Sequence, residues 1–426
     1  MDQPAIPRRT VLKGGTAAGV TGLAVMKVSG PAAAFPGHDD PGVVIPWLDQ
    51  PAPIPPAATD VAGRLLVWES LRSRLIANDK FFTVKHYNLP KLSPATWRLD
   101  VSGLVARPRT LSLAGTLSLA DLEALPRRTV EFTLECSGNS SSPFFIGGIG
   151  NAEWTGASLR QVLRHVQPAR GAVDIVFWGA DRGVVTVRDN VGVTGGGVTG
   201  TVVPDATGNL DLTVTELFAR SMSIEDAMSR DNLLCYQMNG TALPAEHGRP
   251  VRLIAPGWYG VANVKWLTRI QVLDTRYQGR FMARDYVSIR EQRRGDDTTW
   301  TFTSVTHDRL KSAPAKVVRH GSRHSVMGAA WGAPVSRVEV QIDNGSWRTA
   351  RLHRRLRGAG TSARCGYSWR FWTLDWGRPS PGEHTVRSRA FDQEGRVQPP
   401  PTEAYLASRR TFWENNGQIT RRVLID

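Results

Sequence analysis

The stretch Phe132-Thr133-Leu134-Glu135-Cys136-Ser137-Gly138-Asn139 decides the fold that we expect for this chain. Apolar and polar side chains alternate up to Glu135, as they do in a half-buried β-strand, and small polar residues then begin a loop after Cys136. A lone thiol is thereby placed at a strand end, with room for a large group to approach its sulfur. Such a cysteine is either a soft ligand for a cofactor-held metal or a small buried hydrophobe. Residues elsewhere in the chain decide between these two interpretations.

Length and charge limit the classes of function. The chain has 426 residues, 41% of them hydrophobic, which is enough for two or three domains with buried cores. Its 53 Lys and Arg outnumber 38 Asp and Glu, but the positive charge is scattered and only short clusters such as 351–357 occur. No nucleic-acid-binding module is recognisable, so we expect no nucleic acid partner. A basic surface would attract an acidic redox partner or an anionic surface.

The cysteines exclude several kinds of site. Cys136, Cys235 and Cys365 are far apart and form no Cys-x-x-Cys pair. This spacing excludes a thiolate cluster and a disulfide scaffold, although one disulfide is arithmetically possible. The chain also lacks a Cys-x-x-Cys-His motif and a phosphate-binding loop, so we expect no haem and no nucleotide-driven mechanism.

Residues 1–34 have the features of a twin-arginine signal peptide. The pair Arg8-Arg9 is followed by Leu12-Lys13, by a weakly apolar run rich in Gly and Ala, and by a possible cleavage site at Ala32-Ala33-Ala34. The apolar run is too short and too rich in glycine to span a bilayer well. We therefore expect export by the twin-arginine pathway to a periplasmic or other extracytoplasmic space.

Three further segments follow the leader. Residues 35–60 are rich in proline and lack periodicity, which predicts an extended arm. Short helices and strands without regular alternation predict an α+β domain over 61–290, beginning with a helix at Val61–Leu75. After about residue 290 the helical spacing disappears, and short alternating runs separated by Asn-Gly and Pro-Gly turns predict an all-β, immunoglobulin-like sandwich over 291–426.

Motifs spread over most of the chain resemble those of the sulfite oxidase family of molybdopterin enzymes. In chain order they are Glu135-Cys136-Ser137-Gly138-Asn139, Trp154-Thr155-Gly156, Met238-Asn239-Gly240, Leu243-Pro244, Glu246-His247-Gly248-Arg249-Pro250-Val251-Arg252, Pro256-Gly257-Trp258-Tyr259-Gly260, Val264-Lys265-Trp266-Leu267 and Arg284-Asp285-Tyr286. The tail is similar to the family's dimerisation domain at Arg337-Val338-Glu339-Val340, Trp347, Trp369-Arg370, Trp372 and Arg389-Ala390-Phe391-Asp392.

The resemblance implies a cofactor, a set of ligands and a homodimer. Molybdenum would be held by the dithiolene of one pterin, with Cys136 as the protein's thiolate ligand. The residues at positions of the family's pterin and phosphate anchors are His86, Asp181, His247, Arg252 and Lys265. Tyr286 matches the family's active-site tyrosine, whose hydroxyl would assist coupled proton and electron movement. Taken singly, each cation is better explained by a surface salt bridge, and the shared motifs favour the ligand interpretation; the alternative for Tyr286 is a ring buried in the core.

The substrate arginines of the family are absent at the matching positions. Val84, Ser140, Ser141 and an asparagine within Trp413–Gly417 stand where sulfite oxidases have arginine. A dianion would lose strong charge-assisted hydrogen bonds in such a pocket. We therefore expect oxygen-atom transfer on a small sulfur compound other than sulfite, with electrons exchanged with a separate redox protein such as a c-type cytochrome. The open alternatives are a sulfite dehydrogenase, an S- or N-oxide reductase, and a catalytically silent partner subunit that keeps the fold.

Overall fold

The computed structural model describes residues 42–52, 62–106, 116–140, 146–188, 211–353 and 366–426. All of them belong to one unit, Ala32–Asp426. The predicted signal peptide, most of the predicted arm, Ser141 and Cys365 lie outside the described residues. Within the described ranges no helix is long and apolar enough to cross a membrane.

Thirteen strands and four short helices precede residue 285 in the described part of the chain. The strands are β1 Val43–Ile45, β2 Ala62–Gly63, β3 Thr83–Val84, β4 Leu99–Gly103, β5 Thr116–Leu117, β6 Arg127–Glu135, β7 Ile149–Ser158, β8 Asp174–Arg188, β9 Asp211–Ser223, β10 Leu233–Met238, β11 Thr241–Ala242, β12 Arg252–Ile254 and β13 Leu267–Leu273. The helices are α1 Leu119–Ala124, α2 Leu159–Val166, α3 Ile224–Ala227 and α4 Arg280–Ala283.

The rest of the chain is almost entirely β. The strands are β14 Val287–Arg294, β15 Asp297–Ser304, β16 Lys311–His320, β17 Arg323–Trp331, β18 Val335–Ile342, β19 Arg348–Thr349, β20 Arg351–Leu352, β21 Arg370–Gly377, β22 Gly382–Asp392 and β23 Ile419–Ile425, with one helical turn, α5 Ala404–Ala407.

Two sheets form the first half of the molecule. One has the strand order β5-β4-β13-β8-β9, in which β4 and β13 are parallel, and the other has the order β11-β10-β7-β6, with β12 beside β10. The second sheet delivers Cys136 at the end of β6 and Arg252 at the start of β12. Strands β7 and β10 separate β6 from β12 within this sheet. One sheet therefore carries both residues.

Two further sheets face each other in the second half. They have the orders β1-β16-β17-β21-β20 and β19-β18-β22-β23, and side chains from both form one apolar core around Trp372, Val338 and Val386. This arrangement agrees with the predicted sandwich, while the finer immunoglobulin-like description stays a prediction. Strand β1 belongs to residues 42–52 of the predicted arm, and Trp47 beside it is buried with its Nε1 donating to the Ala315 carbonyl at 3.0 Å. Part of the arm, Val43–Ile45, is therefore a strand in a sheet of the second half.

Helix content is lower than an α+β fold predicts. The first half is mostly β, and the helix expected over Val61–Leu75 is absent, with only a 3₁₀ turn at Trp68–Ser70 in the described part. Tertiary contacts replace the helical hydrogen bonds there. Trp68 Nε1 donates to the Ile146 carbonyl at 2.8 Å, and Lys316 Nζ donates to the Leu71 carbonyl at 2.7 Å. The apolar spacing is thus satisfied by packing between distant segments, which overrides local propensity.

Strand β6 is buried on both faces rather than half-buried as its alternation predicts. Phe132 and Leu134 pack in the core, while Glu131, Thr133 and Glu135 on the other face are also buried. The polar face is covered by the second half of the molecule, where the Trp369 backbone N–H donates to Thr133 Oγ1 at 2.7 Å. The two halves therefore meet on the strand that carries Cys136.

Candidate active site

All seven predicted site residues line one cavity. The described residues around it are Phe81, Phe82, Thr83, Val84, Lys85, His86, Leu134, Cys136, Asp181, Phe218, His247, Arg252, Gly260, Val261, Asn263, Lys265, Trp266 and Tyr286. Its apolar lining with a few convergent polar groups is typical of a cofactor site. Their roles as ligands stay predictions.

Cys136 lies at the cavity wall with a free, buried thiol. Its backbone N–H donates to the Gly148 carbonyl at 2.8 Å, which fixes the turn after β6. Burial raises the pKa of the thiol to about 12. A thiolate at this position therefore needs a metal cation or a comparable positive partner. Cys235 is also free and buried, on β10, and is not among the described residues that line the cavity.

Two cations in the cavity are held by backbone carbonyls. Arg252 donates to the carbonyls of His247 at 3.0 Å and Asn263 at 2.9 Å, and its guanidinium lies 5.0 Å from the Trp154 ring centre. Lys265 Nζ donates to the Val84 and Glu246 carbonyls at 2.8 and 3.0 Å. No carboxylate among the described residues forms a salt bridge with either side chain.

The electrostatic cost of these cations indicates an anionic ligand. Burial, followed by the charge of Arg252, lowers the pKa of Lys265 to about 7. Burial lowers the pKa of Arg252 to about 10. A phosphate bound by these two residues would favour the charged form of both, and arginine offers phosphate a bidentate fork.

Asp181 is the buried acid of the cavity. Its Oδ1 has no hydrogen-bond partner among the described residues. Burial raises the pKa of its carboxyl to about 7, and the charge of Lys265 opposes this rise. An orphaned buried acceptor is costly, so the geometry calls for an N–H donor from a ligand, which a pterin ring carries.

His86 and Tyr286 form a directly hydrogen-bonded pair, with 2.6 Å between Nε2 and Oη. The imidazole is stacked on Phe218, and its pKa is lowered to about 3 by burial and then by Lys265. Burial also raises the pKa of the Tyr286 hydroxyl well above its usual value, with Cys136 adding to the effect. His86 is thus neutral and Tyr286 protonated over the physiological pH range.

His247 is fixed by the backbone. Its Nε2 donates to the Asn78 carbonyl at 3.1 Å, so Nδ1 of the neutral ring is left as an acceptor. Burial lowers the pKa of this histidine to about 3. The ring also meets the edge of Phe81 at 5.5 Å between centres.

These residues fit the molybdopterin cofactor that the resemblance implies. The thiol that needs a metal, the two cations without a described salt bridge and the orphaned Asp181 oxygen match a metal, a phosphate and a hydrogen-bonding ring respectively. Each feature is costly in the protein alone and is satisfied by one part of that cofactor.

The residues that stand where the family has substrate arginines make other contacts in this structure. The Val84 side chain is apolar, and its carbonyl accepts from Lys265. Asn415 Oδ1 accepts from the Gly417 N–H at 3.1 Å, and Asn416 Nδ2 donates to the Leu310 carbonyl at 3.4 Å. Both asparagines support the turn near the C-terminus, and neither is among the described residues lining the cavity.

A second set of residues supports the site and was missed by sequence reasoning. The buried Glu135 carboxylate accepts from Lys311 Nζ at 2.6 Å, Trp331 Nε1 at 2.9 Å and Asn139 Nδ2 at 3.0 Å. Lys311 and Trp331 come from β16 and β17, so no local pattern could reveal them. Trp413 stacks on Tyr286 at 4.3 Å between ring centres.

Known families match both halves of the chain. Residues 86–281 match the family described as oxidoreductase molybdopterin binding domain, and residues 299–415 match the Mo-co oxidoreductase dimerisation domain. The chain is 32% identical over 352 residues to sulfite oxidase from Gallus gallus, covering 76% of this chain and 68% of that protein. It is 30% identical over 354 residues to mitochondrial sulfite oxidase from Homo sapiens, covering 76% and 57% respectively.

A solved structure shows the same fold. Sulfane dehydrogenase SoxCD from Paracoccus pantotrophus aligns over 90% of each chain with a TM-score of 0.67 and 24% identity. The fold, the cavity and the matches together define a molybdopterin-dependent oxidoreductase. The chain belongs to the sulfite oxidase family, as its motifs predict.

Proposed function

We propose that this chain is an exported oxidoreductase that transfers an oxygen atom to or from a small sulfur compound of low charge. The single observation that carries this proposal is the apolar Val84 in the cavity lining, at a position where the resemblance predicts a substrate arginine. The lining also contains Leu134, Val261 and the neutral His86–Tyr286 pair. A neutral or weakly charged substrate suits such groups.

The bound molybdenum cofactor would supply two-electron redox chemistry and oxygen-atom transfer. Cys136 would provide the thiolate ligand. Arg252 and Lys265 would hold the cofactor's phosphate, while Asp181 and His247 would accept hydrogen bonds from the pterin. The aromatic and aliphatic lining keeps water away from these pairs, which strengthens each of them.

The His86–Tyr286 pair would manage a proton beside the substrate. The Tyr286 hydroxyl can donate to a substrate oxygen and recover a proton through its 2.6 Å contact with His86 Nε2. Stacking on Phe218 and Trp413 holds both rings in place. Such fixed donors lower the barrier by being oriented before the reaction begins.

Arg220 is the guanidinium that influences both members of this pair. It is buried and donates to the carbonyls of Phe281 and Val305. Each Nη atom therefore donates to a main-chain oxygen, while the buried Nε has no hydrogen-bond partner among the described residues.

Export, assembly and electron exchange complete the proposal. The twin-arginine motif at Arg8-Arg9 supports export, and the match to the dimerisation domain supports a homodimer. The absence of a haem-attachment motif supports a separate one-electron protein as the redox partner, for which a c-type cytochrome is suitable.

Rapid-mixing spectroscopy of the cofactor-loaded enzyme tests the substrate class. Oxidised enzyme is mixed with sulfite, reduced enzyme is mixed with dimethyl sulfoxide, and absorbance changes are followed. We expect reduced enzyme to react with dimethyl sulfoxide and oxidised enzyme to react only slowly with sulfite. Each charge-assisted bond is worth about 1.5–3 kcal/mol, so the variant Val84→Arg should raise kcat/KM for sulfite at least about tenfold. Rapid reduction by sulfite would instead identify a sulfite dehydrogenase.

A further inference from the structure

Glu414 combines deep burial with a strained backbone. Its φ of 58° lies in the left-handed region, which costs free energy for a residue that carries a side chain. Only 3% of its surface is accessible, in a turn at residues 413–414 that we call the C-terminal corner. Strained residues persist where their surroundings over-determine them, and they cluster at functional sites. The contacts of Glu414 therefore indicate what the C-terminal corner does.

The side chain of Glu414 is anchored by three groups. Its Oε2 accepts from the Ser288 hydroxyl at 2.5 Å and lies 3.6 Å from Arg290 Nη2. Its Oε1 accepts from Arg309 Nη2 at 3.4 Å. A buried carboxylate is costly unless it is paired and hydrogen-bonded in this way. Removal of the carboxylate would therefore release the C-terminal corner from its anchor.

The main chain of Glu414 holds the loop that begins after Cys136. The Glu414 N–H donates to the Ser137 carbonyl at 2.8 Å. Ser137 is fully buried, and its hydroxyl has no hydrogen-bond partner among the described residues, so its main chain makes the contact. The residue before the thiol, Glu135, is held by Lys311. Both neighbours of Cys136 in the chain are thus fixed by buried contacts.

The other residue of the C-terminal corner, Trp413, holds the ring of Tyr286. The two rings stack with 4.3 Å between their centres and 26° between their planes. The Trp413 carbonyl accepts from Arg409 Nη1 at 2.8 Å, which fixes the main chain at this position. The Tyr286 carbonyl accepts from the Val305 N–H at 2.9 Å, so stacking orients a ring whose main chain is already in place.

We propose that Glu414 is a positioning residue that fixes the Tyr286 hydroxyl relative to the Cys136 thiol. This inference rests on the proposed function, in which both groups act on one substrate. Neither Glu414 nor Trp413 is among the described residues that line the cavity. Glu414 therefore acts through its neighbours, by holding one strained corner against both groups. Small displacements of reacting groups cost large factors in rate, which gives the strain a use.

Three variants separate the anchor from the strain. Glu414→Ala removes the carboxylate and keeps the backbone cost, Glu414→Gly removes both, and Glu414→Gln keeps an acceptor for Ser288. The matched control is Asp343→Ala, in a turn after β18 with a φ of 54°. The Asp343 carboxylate also accepts hydrogen bonds, from His384 at 2.9 Å and the Thr385 N–H at 2.8 Å, but the residue is not among those described in the cavity lining.

Alkylation of cofactor-free protein with iodoacetamide tests the positioning role without turnover. Peptide mapping by mass spectrometry follows Cys136 and Cys235 separately, and the buried Cys235 is the reference for general loosening. We expect Cys136 in Glu414→Ala to react at least about fivefold faster than in wild type, because the released corner lets the loop at Ser137 open. Cys235 should keep its rate, as should both thiols in Asp343→Ala. Equal Cys136 rates in wild type and Glu414→Ala, or an equal rise at both thiols, would overturn the proposal.

Reduction of dimethyl sulfoxide by reduced methyl viologen tests the effect on Tyr286 in cofactor-loaded enzyme. At equal molybdenum content, Glu414→Ala should lower kcat at least about tenfold and leave KM within about twofold, since misplaced groups affect the reacting geometry more than binding. Glu414→Gly should lose as much, although its backbone is unstrained, and Glu414→Gln should lie between. Unchanged kcat in Glu414→Ala, or an equal loss in Asp343→Ala, would overturn the positioning role.

The two experiments separate this inference from the proposed function. Wild-type enzyme that turns over neither dimethyl sulfoxide nor another uncharged sulfur compound would contradict the proposed function. The alkylation rates would then still decide whether Glu414 fixes the loop after Cys136. Faster alkylation of Cys136 with unchanged kcat would overturn the effect on Tyr286, because the C-terminal corner would then serve the thiol alone.

Discussion

Glu135 shows how a single buried residue links the two halves of the molecule. It directly precedes Cys136, and its carboxylate accepts from Lys311, Trp331 and Asn139. Three donors, two of them from the second half, thereby fix the position of the cavity's thiol. The strength of this link depends on the fully buried ion pair with Lys311.

We predict that Lys311→Met destabilises the protein by about 3–5 kcal/mol, because an uncompensated carboxylate is left in the core. Urea unfolding of the purified variant measures this loss. The double variant Glu135→Gln/Lys311→Met removes both charges and should recover part of the stability. A Lys311→Met protein within about 1 kcal/mol of wild type would show that the pair does not hold the halves together.

Asp181 gives the cofactor-free protein a defined pH dependence. Burial raises the pKa of its carboxyl in the folded protein to about 7 from an ordinary value of 3.8. The folded chain therefore binds this proton more tightly than the unfolded chain does. The stabilising contribution is fully present below about pH 4 and is lost as the pH rises through about 7.

We predict that Asp181→Asn reduces the fall in melting temperature between about pH 5 and pH 7.5, since the variant has no carboxyl to ionise there. Thermal unfolding of the two cofactor-free proteins measures the difference. Other groups with raised pKa values, such as Asp308, are present in both proteins and cancel. Identical dependence of the melting temperature on pH in the two proteins would contradict the raised pKa of Asp181.

The sequence identified the residues that line the cavity but not those that support them. Cys136, His247, Arg252 and Lys265 occur in local motifs, so their resemblance to a family was sufficient to select them. Lys311 and Trp413 act across more than 100 residues of chain, on Glu135 and Tyr286 respectively. Such contacts depend on how the sheets pack, which no periodicity in the chain encodes.

At the scale of elements, a 3₁₀ turn positions the cations of the cavity. The turn Ala245–His247 ends at Gly248, which has a φ of 106°. A Cβ at Gly248 would lie 3.0 Å from Arg252 Cβ and 3.1 Å from Lys265 Cα. A glycine is needed here both for its backbone angle and for close approach to the two cations.

We predict that Gly248→Ala lowers both stability and cofactor content. The matched control is Gly240→Ala, which has a φ of 78° but no atom within 4 Å of the new Cβ. Both variants bear the backbone cost of about 1–2 kcal/mol, whereas only the first displaces Arg252 and Lys265. Urea unfolding and molybdenum content are measured for both. Equal molybdenum content in the two variants would show that crowding at Gly248 does not reach the cations.

Elements with strict alternation were predicted well, and those that depend on tertiary contacts were not. The second half is almost entirely β, as its short alternating runs predict. The expected helix at Val61–Leu75 is wrong, because Trp68 and the Leu71 carbonyl bond to distant residues instead. For the same reason the first half is mostly β, although its composition suggested a more equal mixture.

At the scale of the whole molecule, export is a prediction that rests on residues outside the described structure. We predict that Arg8→Lys/Arg9→Lys leaves the folded protein in the cytoplasm, since the twin-arginine pathway reads the paired arginines. Cell fractionation with immunodetection measures its location. The control Arg127→Lys/Arg128→Lys changes a second adjacent pair, on β6, and should leave export intact. Unchanged export of the leader variant would contradict twin-arginine targeting.

The molybdenum content of protein made in a host that produces the cofactor tests the central claim most directly. Elemental analysis should find about one molybdenum per wild-type chain, because the cavity offers one soft thiolate beside one anion site. In folded Arg252→Met/Lys265→Met the content should fall severalfold, while Lys316→Met, which alters a buried lysine outside the cavity lining, should keep it. Wild-type protein without molybdenum, or equal content in all three proteins, would contradict a molybdenum cofactor in this cavity.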